Sequence, residues 1–211
     1  MNGNQIVIKP WGFEYKCFSN DEVAIWVLEI DKGKATSLHC HPRKNTALII
    51  LQGVIELSFI RDATPHRFRG LDKINIFRGR FHRTKAVSDG VVLLEVEAPD
   101  DKRDIVRLED DYNRVADPIE EATIPLDNSC LQIQDSLFGN HYANCLMEII
   151  HPKTTIPQTT GQHVFVTLSG GLEHGLVPVG DAIDGLTFAR FTQSFKPVPG
   201  TSFLHIWKMQ S

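Results

Sequence analysis

Eight short runs rich in β-branched and aromatic residues fill much of this 211-residue chain: VAIWVLEI, TALIILQGVIELSFI, KINIF, GVVLLEVEA, CLMEII, HVFVTLSG, LTFARFTQSF and SFLHIWKM. Gly, Pro, Asn and Asp separate them. No long stretch has helical periodicity, and only DPIEEA (117–122) is a candidate for a helical turn. Many short strands at close spacing predict an all-β sandwich or barrel. The length permits one large domain or two small ones.

The chain also matches itself. LIILQGVIEL set over FVTLSGGLEH aligns Leu51 with Leu168, Gly53 with Gly170 and Glu56 with Glu173. GRFHRTKAVSDG over ARFTQSFKPVPG aligns Arg80, Phe81 and Gly90 with Arg190, Phe191 and Gly200, and upstream LEIDKGKATSLHCH lies over MEIIHPKTTIPQTT. Three matches in one order predict a duplicated β domain. The charged stretch from Ala98 to Ala122 divides it, giving units at 1–115 and 116–211.

Composition narrows the partners. A formal charge of −4 gives no basic excess to attract nucleic acid or an anionic membrane. No run approaches the roughly 20 apolar residues of a membrane-spanning helix, and MNGNQIVIKPWG lacks the apolar core of a signal peptide. Cys17, Cys40, Cys130 and Cys145 have no CxxC spacing, as expected of reduced thiols in a cytoplasmic protein.

His39 and His41 stand at i and i+2, which on a strand puts both imidazoles on one face. His82 starts a later run, INIFRGRFHRT. With Gly33, Gly53 and Gly79, these histidines resemble the two motifs of the cupins, jelly-roll barrels that hold a metal. Residues 8–115 are most similar to the mannose-6-phosphate isomerase-like cupin domain, through KPWGFEY at the start and RDIVRLEDDYNR at the end. The resemblance implies two tandem jelly-roll (cupin) barrels, a bicupin. The first would carry one divalent metal on His39, His41 and His82. The second would be degenerate, since Gln158, Thr160 and Thr192 align with those histidines. The chain departs from the pattern at Thr46, where the first motif has glutamate, and at Leu71, Phe77 and Ala86 in the second.

Three neutral imidazoles without a carboxylate suit Zn, Fe, Ni or Mn and leave the ion its full charge, which favours anionic ligands. The leading expectation is an isomerase or epimerase of a sugar phosphate or nucleotide sugar. Arg80 would then be the anion clamp and Glu97 the base, with Lys44 and Thr46 beside the substrate. Arg80 reads equally well as a surface arginine, and Glu97 reads more readily as an outward, solvated carboxylate than as a base. A sugar-binding cupin without turnover and a three-histidine iron dioxygenase are the alternatives. A homodimer is compatible with all three. His163 alone is a poor metal site, and His141, His151, His174 and His205 fall in no ligand spacing.

Overall fold

The computed structural model describes residues 5–115, 122–136, 138–151 and 162–209. Among the described residues the fold is all-β apart from one ten-residue α-helix and a short 3-10 turn at Glu173–Gly175. Ten strands precede residue 100: β1 (Gln5–Lys9), β2 (Gly12–Ser19), β3 (Ala24–Ile30), β4 (Leu38–Cys40), β5 (Asn45–Gln52), β6 (Val54–Phe59), β7 (His66–Arg69), β8 (Lys73–Ile76), β9 (His82–Ala86) and β10 (Val91–Ala98). β3 pairs with β10, β4 with β9, β5 with β8, and β6 with β7, all antiparallel. This is one long hairpin, nested about the β6–β7 turn and rolled into two sheets, β3-β10-β5-β8 and β4-β9-β6-β7. Such nesting is a jelly roll.

β11 (Val106–Glu109) extends the second of these sheets beside β4, and β2, β1 and β12 (Thr123–Pro125) extend the first to seven strands. Strand alternation places the layers. Trp26, Leu28, Leu48, Ile50, Ile55, Leu57 and Leu93 fill the barrel between the two sheets. Ile25, Val27, Ala47, Ile49, Leu94 and Val96 point the other way, yet they too are buried.

A third sheet covers that outer face. It comprises β13 (Asn140–Tyr142), β14 (Cys145–Ile150), β15 (His163–Ser169), β16 (Ala182–Asp184) and β17 (Ser202–Lys208), in the order β13-β14-β17-β15-β16. Its Met147, Val164, Val166, Leu204 and Ile206 complete one core with the seven-stranded sheet. The order repeats β2-β3-β10-β5-β8, so the second half preserves one sheet of the jelly roll. Gly53 and Gly170 follow equivalent strands with φ of 80° and 69°, and at each a Cβ would strike the strand entered further on (Val91, Thr201).

Two expectations need correction. LTFARFTQSF is not a strand; Gly185–Ser194 form the helix α1, capped by Asp184 accepting from the Thr187 N–H. Phe188 of α1 stacks on Phe165 at 3.8 Å and covers the inner face of the third sheet, where the first barrel has its second sheet. The upstream match is also out of register. Met147 stands opposite Ile206 as Ile25 stands opposite Val96, so Met147 corresponds to Ile25 rather than Leu28. Gln158 and Thr160, and DPIEEA apart from Ala122, lie outside the described residues.

Candidate metal centre

The short strand β4 meets β9 at a single pair, His39 opposite His82. His41 lies two residues beyond His39 on the same side, and its carbonyl accepts the Gly79 N–H at 2.8 Å, tying the ligand loop to the turn before β9. Each imidazole uses Nδ1 on a backbone carbonyl: His39 on Ser37 at 2.8 Å, His41 on Asp104 at 2.6 Å and His82 on Arg80 at 3.0 Å. A carbonyl only accepts, so each Nδ1 carries the hydrogen and each Nε2 keeps its lone pair.

One ligand atom from each of the three lies within 4.8 Å of the others, and all three residues are buried. His41 Nε2 is buried with no hydrogen-bond partner. Burial holds all three rings neutral: His39 falls well below the ordinary histidine value, His41 to about 3 and His82 to about 4. Converging neutral nitrogens fixed in one tautomer fit a divalent transition metal.

The loop after β10 braces the site. Asp104 accepts the Arg43 and Lys44 N–H groups, both at 2.9 Å, and the Arg43 Nε–H at 3.2 Å. Burial alone would raise its pKa, but these donors outweigh burial and hold it below the ordinary aspartate value. Asp104 thereby fixes the loop that offers its carbonyl to His41.

His39 and His41 line a cavity whose wall is drawn from both sheets. Six cationic side chains (Lys9, Lys44, Lys102, Arg103, Arg107, Arg114) share that wall with three carboxylates (Glu14, Glu95, Glu97). Arg107 on β11 stands directly opposite His39. Burial raises Glu14, but Lys102 and Lys9 overcome this and bring it to about 2. Lys102 lies 3.9 Å above the Trp26 ring.

The sequence-derived residues are placed as follows. Lys44 and Glu97 both line the cavity as a buried ion pair at 2.7 Å, each 1% exposed, so Glu97 is not an outward carboxylate. Thr46 is buried opposite Glu97, with its hydroxyl lacking a partner. Arg80 is absent from the cavity wall. Its guanidinium sits 3.5 Å over Phe59, 45% exposed, near Asp62, and only its backbone carbonyl serves the site. Arg80 lies in the turn before β9, outside the strand alternation that seemed to aim it inward. Sequence reasoning missed Glu95, Glu14, Lys102 and Arg107; only Glu95 had a signal, its shared parity with Glu97.

Thr46→Glu restores a carboxylate at the motif position. It is expected to tighten zinc binding by at least the roughly tenfold that a supporting contact changes affinity, measured by competition with a chelator. Unchanged affinity in a folded variant would show that this position does not face the three histidines.

The chain matches no protein-family model and no curated protein. Among solved structures it is similar to KdgF from Halomonas sp., at 14% identity over 44% of this chain and 85% of that one, with a TM-score of 0.41. CapF from Staphylococcus aureus is 18% identical over 50% of this chain and 34% of its own, with a TM-score of 0.41. A sugar phosphate isomerase from Silicibacter pomeroyi is 14% identical over 41% of this chain and 58% of its own, with a TM-score of 0.38. This last is a cupin-superfamily protein. The chain thus spans about a third of CapF and less than two thirds of the isomerase, and likenesses at this level say nothing about its reaction. No helix among the described residues is long and apolar enough to cross a membrane.

Proposed function

We propose that this chain is a metal-dependent cupin that isomerises or epimerises an anionic sugar, a sugar phosphate or nucleotide sugar. The observation that carries the proposal is the pairing of three converging imidazoles with a cavity that two of them, His39 and His41, line, and whose wall sets six cations against three carboxylates. A divalent ion bound there supplies a Lewis acid for a carbonyl. The protein's own groups do the rest. The Nδ1 anchors keep the imidazoles aimed, the cations attract the substrate's anion, and the buried carboxylates are the candidates for moving a proton. With Arg80 outside the cavity, Arg103 and Arg107 take over its anticipated role as the anion's partners. In this reading residues 1–115 are the metal-binding barrel, similar to the mannose-6-phosphate isomerase-like domain. Residues 116–211 are the degenerate barrel, covering the outer face of the seven-stranded sheet.

The test is a thermal-shift screen of the zinc-, iron- or manganese-loaded protein against hexose phosphates, pentose phosphates and nucleotide sugars, with NMR detection of product. A ligand at a hundredfold its Kd adds about 2.7 kcal/mol, which for a domain of this size raises Tm by several degrees. Stabilisation with conversion is expected. Stabilisation without conversion would make the chain a sugar-binding module, and no stabilisation by any anionic sugar would overturn the proposal.

A further inference from the structure

Glu95 and Glu97 lie two residues apart on β10, so both carboxylates project from the inner face of the seven-stranded sheet. What holds them differs. Glu97 is committed to Lys44 at 2.7 Å, and parting a buried ion pair is costly. Glu95 is 7% exposed and lines the cavity, and no hydrogen bond or ion pair from a described residue reaches its carboxylate. Its cross-strand neighbours, Trp26 and Leu48, are apolar on that face. His39 stands across the cavity on the five-stranded sheet, with His41 just beyond it. A substrate between the two walls has the metal ligands on one side and Glu95 on the other.

Resting on the isomerase reading above, we propose that Glu95, rather than Glu97, is the catalytic acid–base that carries the substrate proton in an aldose–ketose isomerisation of an anionic sugar. The carbon–hydrogen bond beside the carbonyl breaks and its proton goes to the Glu95 carboxylate. The electron pair left behind forms a carbon–carbon double bond, and the carbonyl π pair moves onto the carbonyl oxygen. The neighbouring hydroxyl then passes its proton to that oxygen, and Glu95 returns its own proton to the former carbonyl carbon as the new carbonyl forms. No oxidant or other co-reactant is needed. Burial, then the charge of Glu97, raises Glu95 above the ordinary carboxylate range, with Glu14 adding to the rise and Lys102 and Lys44 opposing it, as suits a group that must both take and give a proton near neutrality.

The experiment has two readouts. First, zinc-loaded wild type and Glu95→Gln are incubated in D2O with glucose 6-phosphate, mannose 6-phosphate, fructose 6-phosphate and ribose 5-phosphate, and 1H NMR follows loss of the proton beside the carbonyl. A roughly hundredfold or greater loss of exchange in Glu95→Gln is expected, with thermal stabilisation by the same sugar retained. Second, 13C NMR of the metal-free protein should show one carboxyl titrating well above about 4.3, absent from Glu95→Gln. Exchange at the wild-type rate in the variant overturns the assignment and leaves the isomerase reading standing. So does an ordinary titration midpoint. Loss of sugar binding together with exchange makes Glu95 a binding group and also overturns it. If wild type binds a sugar yet exchanges none, the isomerase reading fails and this assignment falls with it.

Discussion

Lys44→Met is expected to destabilise the protein by about 3–5 kcal/mol, the cost of leaving one member of a buried ion pair alone. Both partners are 1% exposed, and Glu97 Oε2 already lacks a hydrogen-bond partner, so the stranded carboxylate keeps only the longer-range pull of Lys102. The double variant Lys44→Met, Glu97→Leu removes both charges and should recover most of the loss, because an apolar pair of similar volume carries no desolvation penalty. Lys44 also donates to the Asp101 carbonyl at 3.0 Å, so recovery falls short of complete. Chemical denaturation of the two single variants and the double variant reads the coupling directly. A loss below about 1 kcal/mol for Lys44→Met, the range of solvated pairs, would mean that the pair is hydrated in solution.

The second large effect concerns the metal. Alanine at His39, His41 or His82 should reduce the bound metal of the purified protein to a small fraction of wild type. Two imidazoles make a poor site, and among the described residues the cluster of converging ligand atoms holds no carboxylate to replace the third. Arg80→Ala should leave occupancy near wild type, because its contribution to His82 comes from the backbone carbonyl. Elemental analysis of the four variants separates these outcomes. Equal loss in Arg80→Ala would show that its side chain, rather than its carbonyl, supports the site.

Much of this architecture is written locally. Alternation in TALIILQGVIELSFI and GVVLLEVEA marks the strands, and the i, i+2 spacing of His39 and His41 marks one face of β4. The bracing of His41 by Asp104, 63 residues away, is not local and has no sequence signature. Glu97 was easy to misread because an acidic residue in an apolar strand ordinarily marks a solvated face. Here the third sheet buries the outer face, and the inner one lines the cavity. The helix α1 did leave a trace: Asp184 three residues before Thr187, then Phe188, Phe191 and Phe195 at helical spacing. Its aromatic content made the same ten residues pass for a strand.

The duplication likewise shows where sequence alignment serves and where it slips. Gly90 and Gly200 both precede the last strand of their unit with positive φ, and that part of the repeat carries over residue for residue. By this register His205 occupies the position of Glu95, and by the register around Gly53 and Gly170, His163 that of Thr46. The two histidines bond at 2.8 Å, with Glu148 at 3.2 Å from His205. The third sheet therefore sets ring against ring at positions where the first unit keeps carboxyl and hydroxyl groups on its cavity side.

The central claim is that three Nε2 atoms, each aimed by a carbonyl on Nδ1, form one metal site. X-ray absorption spectroscopy of the zinc-loaded protein measures this most directly. The account predicts three imidazole nitrogens at about 2.0–2.1 Å, with the remaining positions filled by lighter oxygen donors and no sulfur near 2.3 Å. A shell with fewer than three imidazoles, or one containing the buried Cys40 thiolate, would contradict it.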